Sequence, residues 1–215
     1  MWALFVKGGP VMYPLAVMSV LGLAVVIEKF ISLRNSQVLT PEVIHAVESL
    51  RVPSDIPMAM RTCERHSSPL AHIVRAALEE TTLPTGDLRL VMEDTGRREV
   101  KRLERYMVIL EIVAAASPLL GLLGTVFGMI NVFSVISIAG VGEAGLLSGG
   151  ISVALITTAF GLSIGIPALV AFHFFDSRVE NLSVKIEATV HTLIKRLSAM
   201  KTGERADVRE FSDAT

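Results

Sequence analysis

The chain has 215 residues, 51% of them apolar and 19% charged, with 20 Lys and Arg against 21 Asp and Glu. That balance points away from a soluble enzyme and toward a membrane protein, and a net charge of −1 gives no general attraction for nucleic acid. With Cys63 as its one cysteine, the chain holds no internal disulfide.

Residues 1–10 read as a short outer N-terminus, closed by the turn residues Gly8-Gly9-Pro10. Residues 11–33 form the first expected span. Its uncharged core, Val11 to Ile27, rises about 25 Å before Glu28-Lys29, enough to cross a bilayer with its flanks. A cleaved signal peptide is the competing reading. The apolar segment is too long for one, and it lacks a small-x-small cleavage site, so the span is expected to be retained.

Residues 34–106 are expected to be a cytoplasmic helical segment holding most of the Lys and Arg. Thr40-Pro41-Glu42 starts a helix, with Thr40 as cap and proline in the first turn. Pro53 and Pro57 bracket a turn, Ser68-Pro69 opens a helix to about Glu80, and Pro84-Thr85-Gly86-Asp87 turns again. From Leu88 one long helix is expected to run straight into the second span, supported by the i,i+4 pairs Glu93–Arg97 and Asp94–Arg98.

The second span covers 107–139, the outer loop 140–148 and the third span 149–175. Small or hydroxylated residues stripe both spans: Ser117, Gly121, Gly124, Thr125 and Gly128 on one, Ser152, Thr157, Thr158, Gly161 and Gly165 on the other. Such faces let helix backbones approach closely in lipid, where apolar burial gives no drive for association. The glycines 121, 124, 128, 161 and 165 are the expected packing residues. Thr125, Thr158, Thr157 and Ser152, with Glu111, are the expected lining of a polar path through an assembly. The outer loop carries Glu143 and no Lys or Arg, so the positive-inside rule puts the N-terminus outside and the C-terminus in the cytoplasm. Residues 176–200 follow as an amphipathic helix with a seam of Val179, Leu182, Ile186, Val190, Leu193 and Leu197. Residues 201–215 form a polar tail with no pattern.

Hydroxyls neither carry charge nor titrate in the physiological range, so they can orient water or bond a carboxylate but cannot store a proton. A threonine in a membrane helix most often bonds the carbonyl one turn back, and only the pairing of two hydroxylated faces argues for more. Glu111 is the one carboxylate inside the apolar runs. It reads either as a proton-path residue or as a side chain reaching the nearby surface. Glu143 reads as a solvated residue and Asn131 as a structural hydrogen-bonding group between helices. Pro118 and Pro167 are expected to kink their spans. Cys63, His66 and His72 fit no common zinc spacing, His173 reads as interfacial, and no nucleophile elbow, phosphate loop or His-Glu motif occurs. Neither metal, cofactor nor enzymatic activity is expected.

Four stretches together resemble the MotA/TolQ/ExbB proton-channel family, closest to its ExbB and TolQ branch. They are Gly8-Gly9-Pro10 with Met12-x-Pro14-Leu15, the Ile27-Glu28-Lys29 exit, Pro118-Leu-Leu-Gly-Leu-Leu-Gly-Thr125-Val-x-Gly128-Met, and Ala154-Leu-x-x-Thr158-Ala-x-Gly161-Leu with Ile166-Pro167-Ala168. The resemblance implies an all-α polytopic protein with three membrane helices, the second and third extending into the cytoplasm, assembled as a homopentameric ring in a bacterial inner membrane. It also implies two copies of an ExbD/TolR-like single-span partner that supply the membrane aspartate, and an energy-transducing protein of the TonB/TolA kind. By motif position Thr125 and Thr158 match the family's pore threonines. Val153 departs from the pattern, standing where many members carry a glutamate. The function implied is conversion of the proton motive force into work on the cell envelope. The rivals are a flagellar-stator-like subunit, driven by protons or sodium, and a non-conducting membrane scaffold.

Overall fold

The structure, a computed structural model, describes residues 5, 8–139 and 144–212. Those residues are almost entirely helical: α1 (Met12–Ser32), α2 (Asn35–Val38), α3 (Pro41–Ser49), a 3-10 turn (Pro53–Asp55), α4 (Ile56–Arg65), α5 (Pro69–Glu79), α6 (Thr85–Leu103), α7 (Met107–Ala139) and α8 (Ala144–Ser212). Among the described residues three stretches are long and apolar enough to cross a membrane: Met12–Ser32, Met107–Ser137 and Ser148–Lys201. The expected Glu143 lies outside the described residues. The chain divides into two compact units, Met1–Phe30 with Tyr106–Asp176, and Ile31–Arg105 with Ser177–Thr215.

The first unit is built on the contact between α7 and α8. A Cβ placed on Gly161 would lie 2.6 Å from the Ser117 carbonyl oxygen, and one on Gly121 would lie 2.9 Å from that of Thr157. Gly128 meets the Gly150 carbonyl at 2.9 Å in the same sense, and Gly165 meets the Pro118 ring at 2.6 Å. Glycine is needed at these positions because backbone touches backbone, and no larger residue leaves room. Pro118 and Pro167 both sit inside their helices. The turn at Gly9 takes a positive φ of 73°, and Met12 N–H donates to the Gly9 carbonyl at 3.2 Å to start α1. From there α1 lays Val11, Met12 and Leu15 against Leu120, Phe160 and Ile164, and Gly22 against Val113. At its other end Lys29 is buried beside Glu28 at 3.2 Å, and the Phe30 ring stands edge-on to Phe175 at 5.3 Å.

In the second unit, Ser68 caps α5 as expected, accepting from the Ala71 N–H at 3.2 Å. Leu70, Ile73, Val74 and Ala77 of α5, Leu88 and Met92 of α6, and the α8 seam of Val179, Leu182, Ile186, Leu193 and Leu197 are all buried. Cations on α8 bond the carbonyl ends of successive segments. Arg178 Nε donates to Leu33 O and Arg196 Nη1 to Leu50 O, each at 2.9 Å, and Lys201 Nζ donates to Leu83 O. Leu33 follows the last residue of α1 and Leu50 caps the C-terminus of α3, where the helix dipole favours positive charge.

Four local expectations are corrected. The helix from Leu88 does not run unbroken into the second span. Tyr106 takes a left-handed φ of 69°, ending α6 at Leu103 and restarting the ladder with Ile109 N–H to Tyr106 O at 3.0 Å. Thr40 precedes α3 without a side-chain cap bond. Asp94 pairs with Arg98 at 2.7 Å, but Glu93 turns back to Arg89 at 2.9 Å instead of forward to Arg97, since both lie one turn away. At its two ends α8 outruns its expected bounds, starting at Ala144 and continuing to Ser212.

Candidate conducting face of the membrane unit

Thr125 is half-buried on α7, and its hydroxyl donates to the Leu122 carbonyl at 2.7 Å. Thr158 of α8 instead donates across the helix contact, to the Gly121 carbonyl at 3.3 Å. This bond forms because Gly121 lets α8 approach to backbone distance, a consequence of the small-residue stripe. Gly121 precedes Thr125 by one turn, so the two threonines lie at nearly the same depth.

They also share a flank. Val113 and Leu120, which touch α1, lie about 120° to 140° round α7 from Thr125. Phe160 and Ile164, the α8 contacts of α1, lie about 120° to 160° round from Thr158. The first helix therefore covers one side of the α7–α8 pair, and the side bearing Thr125 and Thr158 is left open.

The remaining expected residues divide. Thr157 is fully buried, donating to Ala154 O at 2.9 Å and Val153 O at 3.1 Å, with its side chain against Gly124. It fills the helix contact and has no surface to offer a path. Ser152 is exposed but about 120° round α8 from Thr158, on a different face. Glu111 is exposed on α7 and falls on the Thr125 side. Positions 111, 118, 122, 125 and 129 follow helical steps of seven, four, three and four. Asn131 is exposed, and His173 is exposed with its ring against Phe172 at 5.4 Å.

The sequence reading missed Gly150, whose added Cβ would meet the Gly128 carbonyl at 3.0 Å, and missed Ser117 Oγ as a buried hydroxyl with no hydrogen-bond partner among the described residues. The Gly149-Gly150 pair was the available signal for the first. Which of the two glycines faces α7 depends on helix register, and Gly149 faces open space.

Among the described residues no three His, Cys, Asp or Glu gather to hold a metal ion. His72 Nδ1 lies 3.0 Å from a Glu99 carboxylate oxygen, and burial pushes the Cys63 thiol up to about 11. Such a thiol stays protonated and unreactive at neutral pH. In the second unit a groove of about 830 Å³ has a floor that includes Ile73, Met92 and Val190, with Arg97, Lys101 and Glu187 along it.

Residues 65–188 match the family described as the MotA/TolQ/ExbB proton channel family. The chain is 36% identical over 183 residues to a Synechocystis sp. protein called ExbB-like 1, covering 80% of this chain and 69% of that one. It is 35% identical over 126 residues to the Tol-Pal system protein TolQ of Pseudomonas aeruginosa, covering 54% of each. Against the biopolymer transport protein ExbB of Xanthomonas campestris it is 36% identical over 96 residues, 45% of this chain and 38% of that one.

Proposed function

From the premise that the chain belongs to the MotA/TolQ/ExbB proton channel family, we propose that it is the multi-pass subunit of an inner-membrane complex that turns proton flow into mechanical work on the cell envelope. The observation that carries this reading is the open flank of the α7–α8 pair, with Thr125 and Thr158 at one depth and α1 packed on the other side. Copies of the chain arranged in a ring, five by resemblance to the family, would turn that flank inward around the single-span partners. The N-terminus lies outside and the C-terminal helix in the cytoplasm.

In this reading the threonine hydroxyls face a partner carboxylate and a short file of water. Neutralising that carboxylate lets it leave water for the apolar wall, which permits one step of the ring against the enclosed helices. Each elementary charge crossing the membrane supplies about 2.3 kcal/mol per 100 mV, enough to bias such a step. Thr158→Val keeps the volume and removes the hydroxyl. The complex should still co-purify with its partner, while proton uptake into vesicles and envelope work are lost. Normal uptake in that variant, with Thr125→Val normal as well, rules the reading out.

A further inference from the structure

Hydroxyls can relay a proton but not store one, so any station this chain adds to the partner's carboxylate must itself be a titratable group. Carboxylates are scarce in the membrane unit. The three membrane stretches carry Glu28 at the end of α1, where it lies 3.2 Å from buried Lys29. On α8, Asp176 stands at the boundary of the unit, about five turns past Thr158 and on the same face. Val153, on α8, is half-buried, with its Cγ1 3.9 Å from a Cβ built on Gly9, away from the threonine flank.

Glu111 differs from all of these. It is exposed, on α7, within the apolar stretch Met107–Ser137. No hydrogen bond or ion pair is made by its carboxylate among the described residues. Fourteen residues separate it from Thr125, about 21 Å along one helix face, with Pro118 and Leu122 between. The flank α1 leaves open thus has hydroxyls near its middle and one unpaired carboxylate near its cytoplasmic end. The other ionisable groups of the unit toward that same end are Glu28 and Lys29, paired with each other on α1, Tyr106 just before α7, and His173 and Asp176, both exposed on α8.

We propose that Glu111 is a proton-transfer residue of the conducting face, taking each proton from the water file that leads down from Thr125 and Thr158 and releasing it to cytoplasmic water. This rests on the conducting-face reading above and adds to it a second station, supplied by this chain. The transfer is a proton moving from hydronium to carboxylate oxygen and from there to a cytoplasmic water. No other bond changes and no electrons move. An intramembrane carboxylate with no cation beside it costs free energy to keep, which a purely structural position would avoid.

The test uses the complex purified from native membranes through a tag on this chain, so that its partner comes with it, in vesicles loaded with a pH-sensitive dye. Glu111→Gln should cut proton flux by about a hundredfold, the low end of what a positioned proton-transfer group contributes, and Glu111→Asp should restore most of it. Dicyclohexylcarbodiimide, which adds to carboxyl groups reached from an apolar phase, should block flux in the unmodified complex and appear by mass on Glu111. Wild-type flux in Glu111→Gln, with Thr158→Val inactive, overturns the proposal and leaves the conducting-face reading standing. Wild-type flux in Glu111→Gln, Thr158→Val and Thr125→Val alike removes the reading as well. If Glu111→Gln does not assemble, the carbodiimide arm decides alone: block without modification of Glu111 overturns the proposal.

Discussion

The Thr158 hydroxyl donates its hydrogen bond to the Gly121 carbonyl of the facing helix, 3.3 Å away, while Thr157 beside it bonds back into its own helix. Adjacent residues of one type therefore have separate roles. Thr157 closes the contact between α7 and α8, and Thr158 stands at its open edge. Thr158→Val should lower the stability of the helix pair by about 1 kcal/mol, the usual net worth of one hydrogen bond, yet abolish conduction. Thr157→Val, which keeps the buried volume, should leave conduction near normal. Proton flux and thermal unfolding of the two variants in detergent separate these effects.

The helix contact itself makes a steric prediction. A side chain on Gly161 must push on the Ser117 backbone oxygen, which cannot yield as a flexible side chain would. Gly161→Val should cost about 1–3 kcal/mol and reduce the assembled fraction. Gly149→Ala meets nothing within 4 Å and should be neutral. Melting temperature of the purified chain measures both.

In the second unit the Arg196 bond to Leu50 O predicts a local effect. Arg196→Met keeps much of the stem and removes the charge-assisted bond to the end of α3, at a cost of about 1.5 kcal/mol. Hydrogen exchange should rise at the C-terminal turn of α3 and stay unchanged in the membrane helices. An even rise throughout would contradict the assignment.

Two groups outside the membrane set opposite pH windows. The Asp55 carboxylate accepts from the Arg51 and Val52 N–H groups at 3.0 and 3.1 Å, and these bonds hold its pKa below the usual 3.8. Its contribution is present above that value and is lost as pH falls through the lowered folded pKa. Cys63 runs the other way. Burial raises its thiol from 9.0 to about 11, so its contribution is whole below pH 9.0 and fades as pH rises toward 11. A soluble disulfide reagent should react slowly with Cys63 at pH 8, and fast only once the unit is unfolded.

Much of this was legible in the sequence for physical reasons. Apolar runs between Val11 and Ile27, Met107 and Ala139 (broken only by Glu111), and Gly149 and Phe175 can satisfy their backbone in lipid only as helices, so the three spans follow from composition and length. Ser68-Pro69 marks its helix start because a cap and a proline agree. The break at Tyr106 was hidden, since nothing in Glu-Arg-Tyr-Met forbids a helix and a left-handed tyrosine has no signature in the sequence. The choice between Thr157 and Thr158 came from the family motif alone, because neighbouring residues point about 100° apart and only the register of α8 on α7 decides which one faces the partner helix. The position of α1, which identifies the open flank, rests on Gly22 meeting Val113 and Leu15 meeting its apolar neighbours, contacts with no local signature.

Water access to the threonine flank is the most direct measurement of the central claim. With Cys63→Ala as background, Thr125→Cys, Thr158→Cys and Val170→Cys are made one at a time in the assembled complex and exposed to a charged, membrane-impermeant thiol reagent. Val170 is 64% exposed on α8 and about 120° round from Thr158. The account predicts labelling at 125 and 158 and none at 170. Labelling at 170 alone, or reaction of 125 and 158 only with a lipid-soluble reagent, would contradict it.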